Sequence, residues 1–286
     1  MIKKLRGYLI ARYDNMCNSY TCKRLEQEAK SLNIEMNTIG VCDTIICENK
    51  ILHKAHQLDK VDFLINRHKH GHIKDRLNSL AKKSYNNLSS FNTYLDKFSQ
   101  LENISSLHFL KPKYFLASAD KSFEEVSKIL SDPFVIKGLD GSEGDQVYLI
   151  KSEEDLKKIR TFYGIDKEFL FEEFIESSFG RDIRMYAIKG KIKAAMLRKS
   201  NMDFRANFAL GAQLSPYDIN PKMEKISEDI YKITGLDFVG IDLLFGRDNF
   251  YFCEVNVMAG IKGIEKATGT NIAREILLSI KEDFNE

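Results

Sequence analysis

Three groups of residues in this chain have types and spacings suited to chemistry. In DPFVIKGLDGSEGDQVYLI, an apolar run ends at Lys137, passes through Gly141-Ser142-Glu143-Gly144 and returns as a second apolar run. One reading is a flexible loop whose backbone N–H groups cover a phosphate while the lysine supplies a point charge. The other is a plain hairpin turn. It is not a GxxxxGK[ST] loop opening a helix. The second group is Asp242 in GIDLL with Glu254 and Asn256 in CEVN. Glu254 and Asn256, two apart on a strand, share a face, and Asp242 joins them if the two strands pair through the turn at 246–249. Two carboxylates and an amide oxygen make a hard, oxygen-only site suited to Mg2+ shared with phosphates. Three solvent-facing positions on an edge hairpin are the plainer alternative, although Asp and Asn are poor strand formers. The third group is Arg181, Arg184, Arg198 and Arg205, interleaved with Asp182, Asp203 and Asn207. Guanidinium forks suit carboxylate and phosphate oxygens, and equally suit salt bridges on a sheet face.

The elements that must position these groups follow from periodicity. Gly7 to Ala11 and Val61 to Ile65 read as strands, and residues 19–32 and 73–83 as amphipathic helices, which predicts a small α/β lobe with a mainly parallel sheet. The polar stretch Ser84 to Thr93 reads as its exit linker, followed by a helix from about Tyr94 to Leu101. Ser122 with Glu125 predicts a capping box. Strands are expected at 133–138, 146–150 and 169–175, with a helix opened by Ser152. Two hairpins, Ile183 to Ile188 with Ile192 to Leu197 and Phe238 to Phe245 with Phe250 to Val257, flank a helix at 222–233.

Composition narrows the class without naming the reaction. The 286 residues carry 43 Lys+Arg against 41 Asp+Glu, a formal charge of +2, which argues against bulk electrostatic binding of nucleic acid or anionic lipid. No apolar run approaches the ~18 residues of a membrane span, and the opening MIKKLRGYLIARYD develops no signal-like apolar core, so a soluble, cytoplasmic protein is expected. Five cysteines are expected to be reduced thiols. Cys42, Cys47, His53 and His56 imitate a zinc site but miss its tight spacing, and Ile45 and Ile46 between the cysteines read as buried strand. His68, His70 and His72 alternate, but Gly71 interrupts them and favours a solvated turn.

With these residues in hand, the chain resembles the ATP-grasp superfamily, and within it the RimK-type carboxylate–amine ligases of the alpha-L-glutamate ligase family. The likeness runs from about Thr93 to the C-terminus through Asp96-Lys97, PFVIKGLDGSEGDQV, LFEEFIE, GRDIR, DFRAN, GIDLL, CEVN and GIEKATGTNIA. It implies an α/β ATP-grasp fold with a pre-ATP-grasp lobe at 1–93, a central lobe with a glycine-rich lid at 94–176, and a C-terminal lobe with the metal-binding hairpin at 177–286. By this resemblance Lys97 and Lys137 contact the ATP phosphates, with the lid residues Gly141, Ser142, Glu143 and Gly144 over them. Glu172, Glu173, Phe174 and Ile175 form the adenine-reading hinge, Asp182 meets the ribose, and Arg205 and Asn207 lie beside the β/γ-phosphates. Asp242, Glu254 and Asn256 hold Mg2+, with Mn2+ as a substitute, and Arg184 and Arg198, with Arg205, are candidates to grip a carboxylate or its acyl phosphate.

The implied reaction is ATP-dependent amide formation between a carboxylate on a small molecule, peptide or carrier protein and an amine such as an amino acid, without nucleic acid or membrane. A phosphotransferase and a non-catalytic nucleotide-binding module are the alternatives. A homo-oligomer, dimer or tetramer, is a further expectation. The departures from the family pattern fall on the substrate side: Val257-Met258-Ala259 after CEVN, Leu197 before Arg198, and Leu210-Gly211-Ala212.

Overall fold

The computed structural model describes residues 4–13, 19–105, 107, 109–139, 141, 146–206 and 211–285. The first region runs β1 (Arg6–Ala11), α1 (Tyr20–Ser31), β2 (Glu35–Gly40), β3 (Thr44–Cys47), β4 (Lys50–His53), β5 (His56–Gln57), β6 (Val61–Asn66), α2 (His72–Leu77), β7 (Ala81–Tyr85) and α3 (Leu88–Thr93). Its main sheet has the order β2-β1-β6-β7, all parallel. Every residue of β6 is buried, as a parallel strand covered on both faces requires. The second region comprises α4 (Lys97–Asn103), β8 (Tyr114–Ser118), α5 (Phe123–Leu130), β9 (Phe134–Lys137), β10 (Val147–Ile150), α6 (Glu153–Tyr163) and β11 (Glu168–Glu173). Its antiparallel sheet is ordered β10-β9-β11-β8. The third comprises β12 (Arg181–Ile188), β13 (Lys191–Lys199), β14 (Gln213–Pro216), α7 (Pro221–Thr234), β15 (Phe238–Phe245), β16 (Phe250–Asn256), α8 (Lys262–Thr268) and α9 (Ile272–Glu282), with sheet order β14-β13-β12-β15-β16.

Local chemistry explains the boundaries. The Ser122 hydroxyl accepts from the Glu125 N–H while the Glu125 carboxylate accepts from the Ser122 N–H, the reciprocal cap expected from the sequence. Helix α7 opens with Asn220 as N-cap and Pro221 in its first turn, and ends at left-handed Gly235. Three expectations need correction. The helix at 73–83 stops at Leu77, and after a single tight turn the chain becomes β7, because Ala81 to Tyr85 pairs in parallel with Val61 to Ile65. That ladder outweighs the helical spacing of Leu77, Leu80 and Ala81. The stretch 84–93 is therefore not a linker: it finishes β7 and forms α3. Ile45 lies in a strand as expected but is 61% exposed, since β3, β4 and β5 form a small separate meander.

The apolar cores divide unevenly. Phe134, Phe169, Phe171, Val126 and Ile159 form a core belonging to the second region alone. In contrast, Leu9, Leu25 and Phe63 of the first region share one cluster with Tyr186, Met196, Ile261, Ile276 and Leu277 of the third. No helix among the described residues is long and apolar enough to cross a membrane.

The seam between first and third regions is also ionic. Asp283, just past α9, accepts from Lys83 at 2.6 Å, from Lys189 and from the Tyr85 hydroxyl. Burial alone would raise its carboxyl, but those donors outweigh burial and hold it at about 2. With the folded value depressed, this stabilisation is present above the ordinary carboxylate range and is lost as pH falls toward 2. Asp283→Asn is expected to cost about 1–2 kcal/mol at pH 7, moderated because solvent reaches the cluster. Urea unfolding of both proteins should show that difference shrinking steadily below about pH 4.

Candidate active site

The site is assembled on one face of the five-stranded sheet. On β12, Asp182 and Arg184 are two apart, and Arg198 lies directly across from Asp182 on β13. Asp242 lies across from Arg184 on β15, and Glu254 across from Asp242 on β16. The five charged side chains therefore share a face. Arg184 grips Asp242 through two nitrogens, Nε to Oδ1 and Nη2 to Oδ2 at 2.6 Å. Arg198 donates Nε and Nη2 to the two Asp182 oxygens at 2.6 and 2.8 Å, and Nη2 also to Asp242 Oδ2 at 2.8 Å. All four are buried. For Asp242, burial is outweighed by the two guanidinium groups, so its carboxyl is held low. For Asp182 burial dominates over its pairing with Arg198, pushing it up.

Glycine makes room for this arrangement. A Cβ at Gly240 would come within 2.7 Å of the Ala259 Cβ and 3.2 Å of the Arg184 Cδ, so the arginine stem passes where a side chain would stand. Gly180 has φ +65°, and a Cβ there would meet the Ser200 carbonyl at 2.4 Å. The Gly180 N–H bonds to the Phe204 carbonyl, tying the 200–206 segment to the start of β12.

Two buried lysines arrive from other elements. Asp96 caps α4, its Oδ1 accepting from the Ser99 N–H at 2.6 Å, so Lys97 falls in the first turn. The helix therefore begins at Lys97 instead of Tyr94. Buried Gln100 fixes it in place, donating to the Val255 carbonyl and accepting from the Val255 N–H, both at 2.9 Å. Lys97 Nζ donates to the Gly141 carbonyl at 2.7 Å and lies 3.5 Å from Glu254 Oε2. Lys137 ends β9, a diagonal neighbour of Glu172 on β11, and the two pair at 2.6 Å. Burial would lower the Lys137 ammonium, but the carboxylates of Glu172 and Glu254 outweigh it and raise it. A bulge between Asp242 and Leu243 lets consecutive Cys253 and Glu254 both face the cavity. The Cys253 sulfur is 3.8 Å from Lys137 Nζ, and burial pushes its thiol up to about 12.

These residues open on a single cavity. Lys97, Lys137, Gly141, Glu172, Glu173, Phe174, Ile175, Asp182, Arg198, Arg205, Asp242, Glu254 and Asn256 all line it. The structure thus brings together most of the residues singled out in the sequence; Ser142, Glu143, Gly144 and Asn207 lie outside the described residues. Four of the residues singled out have partners within the fold. Arg184 does not line the cavity; its guanidinium is spent on Asp242. The Asp182 carboxylate accepts from Arg198 at both oxygens while lining the cavity, and Arg198 donates to Asp242 as well. The Glu172 carboxylate neutralises Lys137 through Oε2, since an unpaired lysine at that depth would be costly. Arg205 lines the cavity but forks onto Asp203 at 3.0 and 2.7 Å. Lys69, Gln100 and Cys253 were not singled out, since nothing in their local spacing points to a cavity.

The donor chemistry fits a nucleotide and its metal. Val135, Phe174, Ile175 and Leu244 give the cavity apolar walls, and Lys97 and Lys137 give it two positive charges. Among the described residues no cluster of three or more His, Cys, Asp or Glu could hold a metal ion. A phosphate-shared Mg2+ needs fewer protein ligands, typically one or two carboxylates with waters and phosphate oxygens. Glu254 has its second oxygen, Asn256 Oδ1 accepts from the Met258 N–H at 3.0 Å with a lone pair left, and Asp242 Oδ1 keeps one.

This architecture is the ATP-grasp fold. Solved structures similar to it include the ATP-grasp ligase PsnB complexed with a minimal precursor (15% identity, TM-score 0.74, covering 98% of this chain and 99% of that one). Another is the D-alanine–D-alanine ligase from Bacillus anthracis (18%, 0.72, covering 98% and 97%). The RimK-like ATP-grasp domain matches residues 96–280, and the chain belongs to that family. It is an ATP-grasp ligase. Relatives include the probable alpha-L-glutamate ligase 2 of Pseudoalteromonas atlantica, 28% identical over 273 residues and 91% of each chain. The probable alpha-L-glutamate ligase of Vibrio atlanticus is 27% identical over 292 residues, 98% of this chain and 96% of its own.

Because Asp242 is the shared counterion of two buried guanidinium groups, Asp242→Asn is expected to destabilise the fold by about 3–5 kcal/mol. Thermal unfolding should show that loss, and Asp242→Asn with Arg184→Met should recover part of it.

Proposed function

We propose that this protein is an ATP-dependent carboxylate–amine ligase that forms an amide bond through an acyl phosphate, adding a glutamate-like amino acid to the carboxylate of a small molecule, peptide or carrier protein. The observation that carries this reading is the convergence of buried Lys97 and Lys137 with Glu254 and Asn256 on one cavity. Lobes at 1–93, 94–176 and 177–286 around that cleft belong to the same reading.

In the proposed reaction a substrate carboxylate attacks the γ-phosphorus of ATP and ADP leaves. The amine then displaces phosphate from the acyl group. Lys97 and Lys137 bind and orient phosphate oxygens and meet charge in the transferring phosphoryl group. Glu254 and Asn256, with the remaining lone pair of Asp242, would hold Mg2+, which neutralises phosphate charge when bound. Arg205 lines the cavity with its guanidinium held in place by Asp203. The neutral thiol of Cys253 adds no competing anion beside Lys137. None of these roles requires a side-chain nucleophile. The relatives named alpha-L-glutamate ligase support a glutamate-like donor, and a PsnB structure complexed with Mg and ADP supports the metal.

Two outcomes follow. Glu254→Gln should abolish ATP turnover while shifting unfolding by less than about 1 kcal/mol, since its contact with Lys97 is a partly solvated one; undiminished turnover removes the metal assignment. Mass spectrometry after incubation with ATP, Mg2+, an amino-acid panel and candidate carboxylates should detect an amide and equimolar ADP. ADP formed at full rate without an amine, and with no amide product, would replace this reading by a phosphotransferase.

A further inference from the structure

Asn256 is the last residue of β16, and residues 257–261 join the metal-facing hairpin to α8. This stretch begins with Val257-Met258-Ala259, where the sequence departs from the family pattern. Val257, Ala259 and Ile261 are buried, and Met258 lines the cavity with Asn256. Two hydrogen bonds curl the stretch back onto Asn256. The Met258 N–H donates to Asn256 Oδ1 at 3.0 Å, and the Ala259 N–H donates to the Asn256 carbonyl at 3.3 Å. Of the three residues facing the metal position, Asp242 is fixed by two arginines and Glu254 meets Lys97. Asn256 is a neutral amide, and this turn sets its orientation.

The turn is held from outside by side chains of the first region. Buried Asn86, just past β7, donates Nδ2 to the Val257 carbonyl at 3.4 Å and to the Phe238 carbonyl at 2.8 Å. Arg67, just past β6, donates Nη1 to the Ala259 carbonyl at 3.1 Å. Thr21, in the first turn of α1, accepts from the Ile261 N–H at 3.2 Å. Residues 257, 259 and 261 are thus taken in turn at the end of the parallel sheet where β6 and β7 finish and α1 starts. The Arg67 contact is the strong one, because its donor is charged. Ale259 has little room to move the other way. A Cβ at Gly240, directly across from Asn256, would come within 2.7 Å of the Ala259 Cβ. Arg67 itself does not line the cavity, so its influence on a metal must pass through this loop.

We propose that Arg67 is a positioning residue for the metal: by holding the Ala259 carbonyl it fixes the turn that aims Asn256 Oδ1 at a nucleotide-bound Mg2+. This rests on the metal assignment above. The first region then takes part in metal binding without supplying a ligand, and removing the group that orients a ligand costs metal affinity.

The test is fluorescence titration of the full chain with mant-ADP over a range of Mg2+ concentrations, reading the Mg2+ concentration at which nucleotide binding is half-enhanced. Asn256→Ala and Glu254→Gln should both raise that midpoint. Arg67→Met should raise it about tenfold. Arg67→Lys should return most of the shift, since a single donor reaches the Ala259 carbonyl. Because Arg67 acts through Asn256, Arg67→Met should add less than about twofold in an Asn256→Ala background. Thr21→Val should move the midpoint in the same direction and stands in if Arg67→Met does not fold. A merely structural Arg67 would lower the unfolding temperature of Arg67→Met and leave the Mg2+ midpoint of the folded protein in place; that result overturns the proposal. So does a full tenfold effect of Arg67→Met on top of Asn256→Ala. A midpoint unmoved by both Asn256→Ala and Glu254→Gln removes the metal assignment itself, and the proposal with it.

Discussion

Asp242 lies between two guanidinium groups in a dry sheet, and the geometry of the cleft follows from that placement. A carboxylate at this depth is tolerable only when its charge is met at short range. Arg184 meets it from the neighbouring strand and Arg198 from one strand further, and Arg198 must then satisfy Asp182 as well. The result is a closed set of two positive and two negative groups that fixes the rotamers of all four. Gly240 is part of the same solution, since the arginine stem needs the volume a side chain would fill. Because the set is internally neutral, the field in the cavity comes from what surrounds it: Lys97 and Lys137 from the second region, Glu254 on the edge strand and Lys69 from the first.

Each of those surroundings is positioned by a contact distant in sequence. The Gln100 amide imitates a neighbouring strand for Val255 and docks α4 on the edge of β16, which brings Lys97 to Glu254. Glu172 holds Lys137 from the adjacent strand, and the Lys69 backbone is set by Lys74. The cleft is thus an intersection of three sheets, with no single element supplying more than a part of it.

Much of this was legible in the sequence because it is local. The Ser122 cap, the hairpin of β15 and β16, and the lysine at the end of β9 follow from spacing and residue type. Asp242, Glu254 and Asn256, picked out by the same kind of spacing, do line one cavity. Partners were not. Arg184 and Asp242 are 58 residues apart and Lys137 and Cys253 are 116 apart, and no periodicity shows which charges will be spent on one another. Arg184, Asp182 and Glu172 therefore read as groups for a ligand, and the counterions they have within the fold were not visible. The strand β7 was missed because its pairing with β6 decides it against a helical pattern. Lys69 and Gln100 reach the cavity only when chain segments from elsewhere close over them.

The apolar cluster shared by Leu9, Leu25 and Phe63 with Ile261, Ile276 and Leu277 bears on how the molecule is made. During synthesis the first sheet leaves the ribosome long before the helix that completes its core. At ordinary elongation rates the interval is on the order of 10–40 s. Over that time the inner face of an all-parallel sheet is covered only in part, by α1, in a topology that closes slowly because its contacts span nearly the whole chain. The second region, with a core of its own, can fold in the meantime. The order of assembly is therefore the reverse of the order of the chain at its N-terminus: the middle first, then the last helices, and with them the beginning.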